Sequence, residues 1–228
     1  GAYVTLMQKD MKRLIAYSSV SHMGFVTLGI FCLNQNGIEG GILQMINHGI
    51  ITGALFLCVG MIYERTHTRM IEDYGGLFKT VPKFIVIFAI FTLAAIGFPG
   101  MNAFIGEFLI ISGAFKANMV IAAFSILGVI LGASYMVWLY YRVALNEINP
   151  NTKAQLTDLD LREIATLLPL VILVFLIGLQ PEVLLSYMHV SVEHLLERIH
   201  ATLPIENLPV YDSMASFVQY FKEIIGWT

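Results

Sequence analysis

Charge is scarce in this chain: Lys, Arg, Asp and Glu make up 13% of the 228 residues against 57% hydrophobic residues, and the charges gather in short clusters between long apolar runs. Such a composition belongs to a membrane protein. A basic excess is also missing. With a net charge of −3, and with its lysines and arginines flanking the apolar runs, the chain has no face for DNA or RNA. Cysteine is limited to Cys32 and Cys58, each inside an apolar stretch. Neither a disulfide framework nor a paired metal-binding motif is present, and both read as packing residues. No GxGxxG, P-loop, CxxC or nucleophile elbow occurs in a suitable setting, since the glycine-rich Gly37-Ile38-Glu39-Gly40-Gly41 follows no strand. No nucleotide, flavin, iron–sulfur or metal site is therefore expected on this chain. The basic-then-apolar order of a signal peptide is absent too, and residues 1–8 read as the end of a preceding membrane helix, as in a fragment or one half of a split protein.

What is present is length in the apolar runs. A spanning helix needs about 20 residues, and five stretches approach or exceed that: 14–33, 38–63, 84–115, 119–141 and 161–179. The expected fold is an all-α membrane protein with about five transmembrane helices, one of them discontinuous, plus C-terminal amphipathic helices. Residues 9–180 would form the five-span domain and 181–228 an amphipathic tail. Within the tail, 183–199 and 214–225 carry apolar stripes, separated by Pro204 and Pro209, and read as helices lying on the membrane surface or on a neighbouring subunit. Basic residues fall unevenly between the two sides. Lys9, Lys12, Arg13, Arg65, Arg69, Lys79, Lys83, Arg142, Lys153 and Arg162 lie on one, and only Lys116, Arg198 and Lys222 on the other. The positive-inside rule then turns the start of the first span to the cytoplasm or mitochondrial matrix and the tail to the periplasm or intermembrane space.

Polar groups at membrane depth are costly and point to function. Here they are His22, His48 and Glu107, with Lys12 and Arg13 acting as anchors at the rim. The stretch 84–115 would be about 48 Å long as one helix, against a hydrocarbon core of about 30 Å. Its centre reads Gly97-Phe98-Pro99-Gly100, where proline removes an amide donor and the glycines ease unwinding. A discontinuous helix with Glu107 just beyond the break is the expectation, because interrupted helices mark ion sites in transporters. His48 shares a helical stripe with Gln44 and Thr52, and His22 follows Ser18 by one helical step. Each histidine reads either as a proton-relay group or as a hydrogen-bonded structural residue. The tail histidines His189, His194 and His200 are spaced by five and six residues, which gives no common helix face for a metal.

Several segments carry a family resemblance. They are Asp10-Met11-Lys12-Arg13-Leu14-Ile15-Ala16-Tyr17-Ser18-Ser19-Val20-Ser21-His22-Met23-Gly24, Gln44-Met45-Ile46-Asn47-His48-Gly49, Tyr74-Gly75-Gly76-Leu77, and Gly97-Phe98-Pro99-Gly100 with Phe104-Ile105-Gly106-Glu107-Phe108. Together they resemble the C-terminal half of the antiporter-like, proton-translocating subunits of respiratory complex I (NADH:quinone oxidoreductase), in particular the subunit M (subunit 4) type. The resemblance runs to about Arg198. It implies that 84–115 is the second broken helix of an inverted-repeat pair and that Glu107, His48 and His22 form a proton relay. It also implies an inner bacterial or mitochondrial membrane and partners among the other membrane-arm subunits. FMN, iron–sulfur clusters and quinone would sit on partner subunits, with no cofactor on this chain. Alternatives are a subunit of a multisubunit sodium/proton antiporter or of a membrane-bound hydrogenase. Outside transport, the choices are a structural subunit or a haem carrier with His22 and His48 as axial ligands.

Overall fold

A computed structural model of the chain describes residues 1–147 and 156–202. Residues Gly1–His189 make one compact unit, and Val190–Thr228 a second that is described only to the end of its leading helix. The elements are α1 (Ala2–Leu6), α2 (Met11–Phe31), α3 (Gln35–Thr66), α4 (Leu77–Thr80), α5 (Pro82–Ile96), α6 (Asn102–Ala117), α7 (Met119–Tyr140, prolonged by a π-helical turn Tyr141–Leu145), α8 (Leu161–Leu179) and α9 (Glu182–Thr202). Four of them, α2, α3, α7 with its extension, and α8, are long and apolar enough to cross a membrane. The protein is an all-α membrane protein. Large apolar side chains such as Val86, Phe108, Phe124 and Ile130 face outward, as a lipid-bathed surface requires.

Stretch 84–115 is interrupted as expected, and its two pieces together make the fifth crossing. The start of α5 lies at the end of α3 where that helix meets the α8 rim: Asp158 accepts from the backbone amides of Lys83 and Phe84, while Arg65 in the last turn of α3 donates to the Thr157 and Asp158 carbonyls. Half-way along α3, Asn47 pairs with Asn102 at the start of α6. Near the beginning of α3, Asn34 and Asn36 reach Gly113 and Lys116 at the far end of α6. Read in that order, α5 and α6 descend along α3 in a single direction. The α3–α6 contact is close because glycines meet there. A Cβ on Gly113 would fall 2.5 Å from the Gly37 nitrogen.

The break combines two turn motifs. At Gly97, with φ of 76°, the amides of Gly97 and Phe98 bond back to Ala94 and Leu93 in a Schellman-type cap. Phe98-Pro99-Gly100-Met101 then closes with Met101 N–H donating to the Phe98 carbonyl, and Gly100 has φ of 90°. Proline second and a positive-φ glycine third is the pattern of a type II turn.

The rim carrying most of the basic residues is tied by polar contacts. Asp10 caps α2, and Asp160 caps α8 in a reciprocal box with Glu163, devices worth about 1 kcal/mol each. Arg65, one of the ten basic residues on this side, stands in the last turn of α3 and forms a two-pronged pair with Glu163 at 2.7 and 2.6 Å. Of the tail, α9 covers the expected helix 183–199. The expected helix 214–225, Pro204, Pro209, Lys153 and Lys222 lie outside the described residues.

Candidate functional site

Glu107 stands one and a half turns into α6 and is buried. Helical side chains lean toward the N-terminus, which carries this carboxylate back to the break. A Cβ on Gly97 would lie 2.7 Å from Glu107 Oε2, so the glycine leaves the carboxylate its space. The other carboxylate oxygen, Oε1, is 3.5 Å from His22 Nδ1 and accepts a hydrogen bond of 3.4 Å from Gln44 Nε2. His22 presents its second nitrogen, Nε2, to the Tyr135 hydroxyl of α7 at 3.3 Å. Its ring centroid is 5.6 Å from that of His48, which contacts the Thr52 hydroxyl one turn along α3. Glu107, Gln44, His22 and Tyr135 are buried, so their contacts lie in a low dielectric where each is strong. His22 lines two small voids, one with Glu107, Ser21 and Tyr135 and one with His48, Gln44 and Thr52.

The structure thus brings together Glu107, His22 and His48, the three residues proposed from sequence, and sets Gly97 against the first of them. The expected stripe Gln44–His48–Thr52 is split. Thr52 meets His48, whereas Gln44 turns to Glu107, because Gly106 opposite has no side chain to hold it off. Ser18 does not serve His22 and bonds the Ile15 carbonyl of its own helix. Sequence reasoning missed Tyr135, which sits among apolar residues of α7 with only Ser134 as a polar neighbour. It also missed the Asn47–Asn102 pair, which pins the break to α3: Asn47 donates to the Asn102 carbonyl at 2.8 Å, and Asn102 donates to Asn47 Oδ1 at 3.2 Å. Among the described residues, no three His, Cys, Asp or Glu side chains are grouped to hold a metal.

The sequence profile of the family described as NADH:quinone oxidoreductase/Mrp antiporter, transmembrane, matches residues 1–132, more than half of the chain and all of α2 to α6. The chain belongs to this family. Within it, the chain is 49% identical over 200 residues to NADH-quinone oxidoreductase subunit M of Rhodobacter capsulatus, covering 88% of this chain and 39% of the relative. It is 50% identical over 193 residues to NADH-ubiquinone oxidoreductase chain 4 of Marchantia polymorpha, covering 85% and 39%. A chain of respiratory complex I from Thermus thermophilus superposes with a TM-score of 0.81 at 35% identity, covering 86% of this chain and 41% of that one. The resemblance read from the motifs is therefore borne out. The chain spans about two fifths of the length of these relatives.

Proposed function

We propose that this chain is the C-terminal half of a proton-translocating membrane-arm subunit of NADH:quinone oxidoreductase, working beside other membrane-arm subunits, and that Glu107 is the group that loads and unloads protons. The observation that carries this reading is the buried contact between Glu107 and His22 at a break in a membrane-crossing helix. A protonated Glu107 transfers its proton to His22 Nδ1, leaving a carboxylate opposite an imidazolium that stabilises it. His22 loses a proton toward Tyr135 or toward His48, so it connects the two voids that it lines. Gln44 donates a hydrogen bond to the same carboxylate. No redox centre is required on this chain for that step; flavin, iron–sulfur clusters and quinone would belong to partner subunits.

Glu107→Gln preserves shape but cannot titrate. In membrane vesicles carrying the assembled complex it should impair proton translocation and coupled quinone reduction, and Glu107→Asp should retain part of both. His22→Ala should cost more than His48→Ala, since His22 makes the direct contact. A Glu107→Gln complex that pumps at the wild-type proton-to-electron ratio removes Glu107 from the route. The family name also covers Mrp antiporters. Purification of the assembly decides between the two, because flavin and iron–sulfur subunits accompany only the complex I reading.

The ten-to-three division of basic residues supports an orientation with the α2 start in the cytoplasm or matrix. A cysteine at the exposed position Lys79 should react with impermeant reagents from that side alone; labelling from the opposite side would overturn the orientation.

A further inference from the structure

Among the described residues two acidic side chains are buried, and Glu107 accounts for only one. The other, Glu39, lies in the second turn of α3, near the end of the bundle opposite the basic loops. An ionised carboxylate there is expensive unless it is paired. Its pairing is specific: the Oε1 atom accepts from the Gln35 amide one turn earlier and lies 2.7 Å from Nδ1 of His189 on α9. The same Gln35 amide also donates to the His189 carbonyl at 3.1 Å, which fixes the α9 backbone over the acid. The two partners differ sharply in exposure. The Glu39 side chain is 6% accessible and that of His189 is 65% accessible, so the acid meets the outside through an imidazole.

Between the two buried acids stands Gln44, five residues beyond Glu39 and about 7.5 Å along the helix. Its amide nitrogen bonds Glu107, while its Oε1 is buried without a hydrogen-bond partner. A buried acceptor of that kind calls for a donor, and here it lies between the two groups able to hold a proton. Other titratable groups around this end include Lys116 at the end of α6, bonded to Asn36, the free thiol of Cys32 at the end of α2, and, on α9 itself, Tyr187 and Glu193, the latter one helical turn beyond His189. From α8 comes apolar Ile177, in the Leu43–Leu185 cluster beneath the pair.

We propose that Glu39 and His189 form the release station of the proton route, a role that rests on the relay reading of Glu107. A proton held on the Glu39 carboxyl passes to His189 Nδ1, leaving a carboxylate and an imidazolium. The imidazolium gives a proton to water from Nε2, and a turn of the exposed ring brings the bare Nε2 to face Glu39 for the next proton, while the proton on Nδ1 leaves in the following cycle. Proton number and charge balance at each step, with no other reactant.

The test uses the assembled complex in vesicles, with Glu39→Gln, His189→Ala and Glu107→Gln compared for quinone reduction and proton translocation. Glu39→Gln and His189→Ala should each lower translocation several-fold. Added imidazole should restore the His189→Ala complex, whose missing ring leaves an exposed gap, and should leave Glu39→Gln unchanged. A purely anchoring role for His189 predicts a deficit that imidazole does not relieve. That result overturns the proposal, as does wild-type translocation in either variant. Should Glu39→Gln fail to assemble, the rescue of His189→Ala decides alone. Glu107→Gln separates the two levels of the account. If it fails while Glu39→Gln pumps normally, the release station is wrong and the relay stands; if it too pumps normally, the relay itself falls.

Discussion

Pro99 and Pro169 each remove a rung from the hydrogen-bond ladder of a membrane-crossing segment, yet α5 and α6 part around the first whereas α8 runs unbroken through the second. Proline deprives the carbonyl four residues earlier of its donor, Ala95 in one case and Ala165 in the other. The difference lies in what flanks it. Pro99 has Gly97 two residues before and Gly100 directly after, both at positive φ, whereas Pro169 stands between leucines. Leucine resists positive φ by about 1–2 kcal/mol per residue, so α8 continues through its proline. The break also has partners that the middle of α8 lacks: Asn47 grips its exit, Glu107 folds back onto Gly97, and the end of α8 presses on Gly100 and Met101. Glycines and partners thus make the interruption, with proline only compatible with it.

The largest effect should come from the point where α8 meets the break. A Cβ on Gly178 would lie 2.4 Å from the Gly100 carbonyl oxygen and 2.7 Å from Met101 Cα, backbone that no rotamer change can clear. Gly178→Ala should destabilise by about 1–3 kcal/mol and give the lowest level of assembled complex on native gels. Gly97→Ala comes next, costing about 1–2 kcal/mol for its positive φ, while the new methyl displaces Glu107. The complex should assemble and show impaired proton translocation. Pro99→Ala should cost less than about 1 kcal/mol, since a type II turn accepts alanine in its second position. Pro169→Ala should shift thermal stability of the assembled complex least, because the change restores a donor to an intact helix. A Pro99→Ala loss as large as that of Gly178→Ala would return the break to proline.

Much of the break was legible because its determinants are local: Gly-Phe-Pro-Gly in the middle of a run too long for one span, with an acid beyond it. Glu107 and His48 were legible for the same reason, as ionisable groups in apolar surroundings. What the sequence withheld is which helix faces meet. His22 proves to be the direct partner of Glu107 because α2 packs beside α6, a tertiary fact with no periodic signal. Gln44 left its stripe for Glu107 because a glycine on another helix made room. Tyr135 was hidden as one hydroxyl in an apolar helix. Glu39 read only as part of the glycine-rich segment Gly37-Ile38-Glu39-Gly40-Gly41, although Gln35 one turn before it, both facing the same side, was a usable sign of a buried hydrogen-bonded pair.

The claim that glycine geometry seats the Glu107 carboxylate for the proposed relay is tested most directly by the proton-to-electron ratio of two assembled complexes, Gly97→Ala and Pro99→Ala, measured side by side in sealed vesicles. The account predicts a clearly lowered ratio for Gly97→Ala and a near wild-type ratio for Pro99→Ala. A wild-type ratio in Gly97→Ala, or the loss confined to Pro99→Ala, would contradict it.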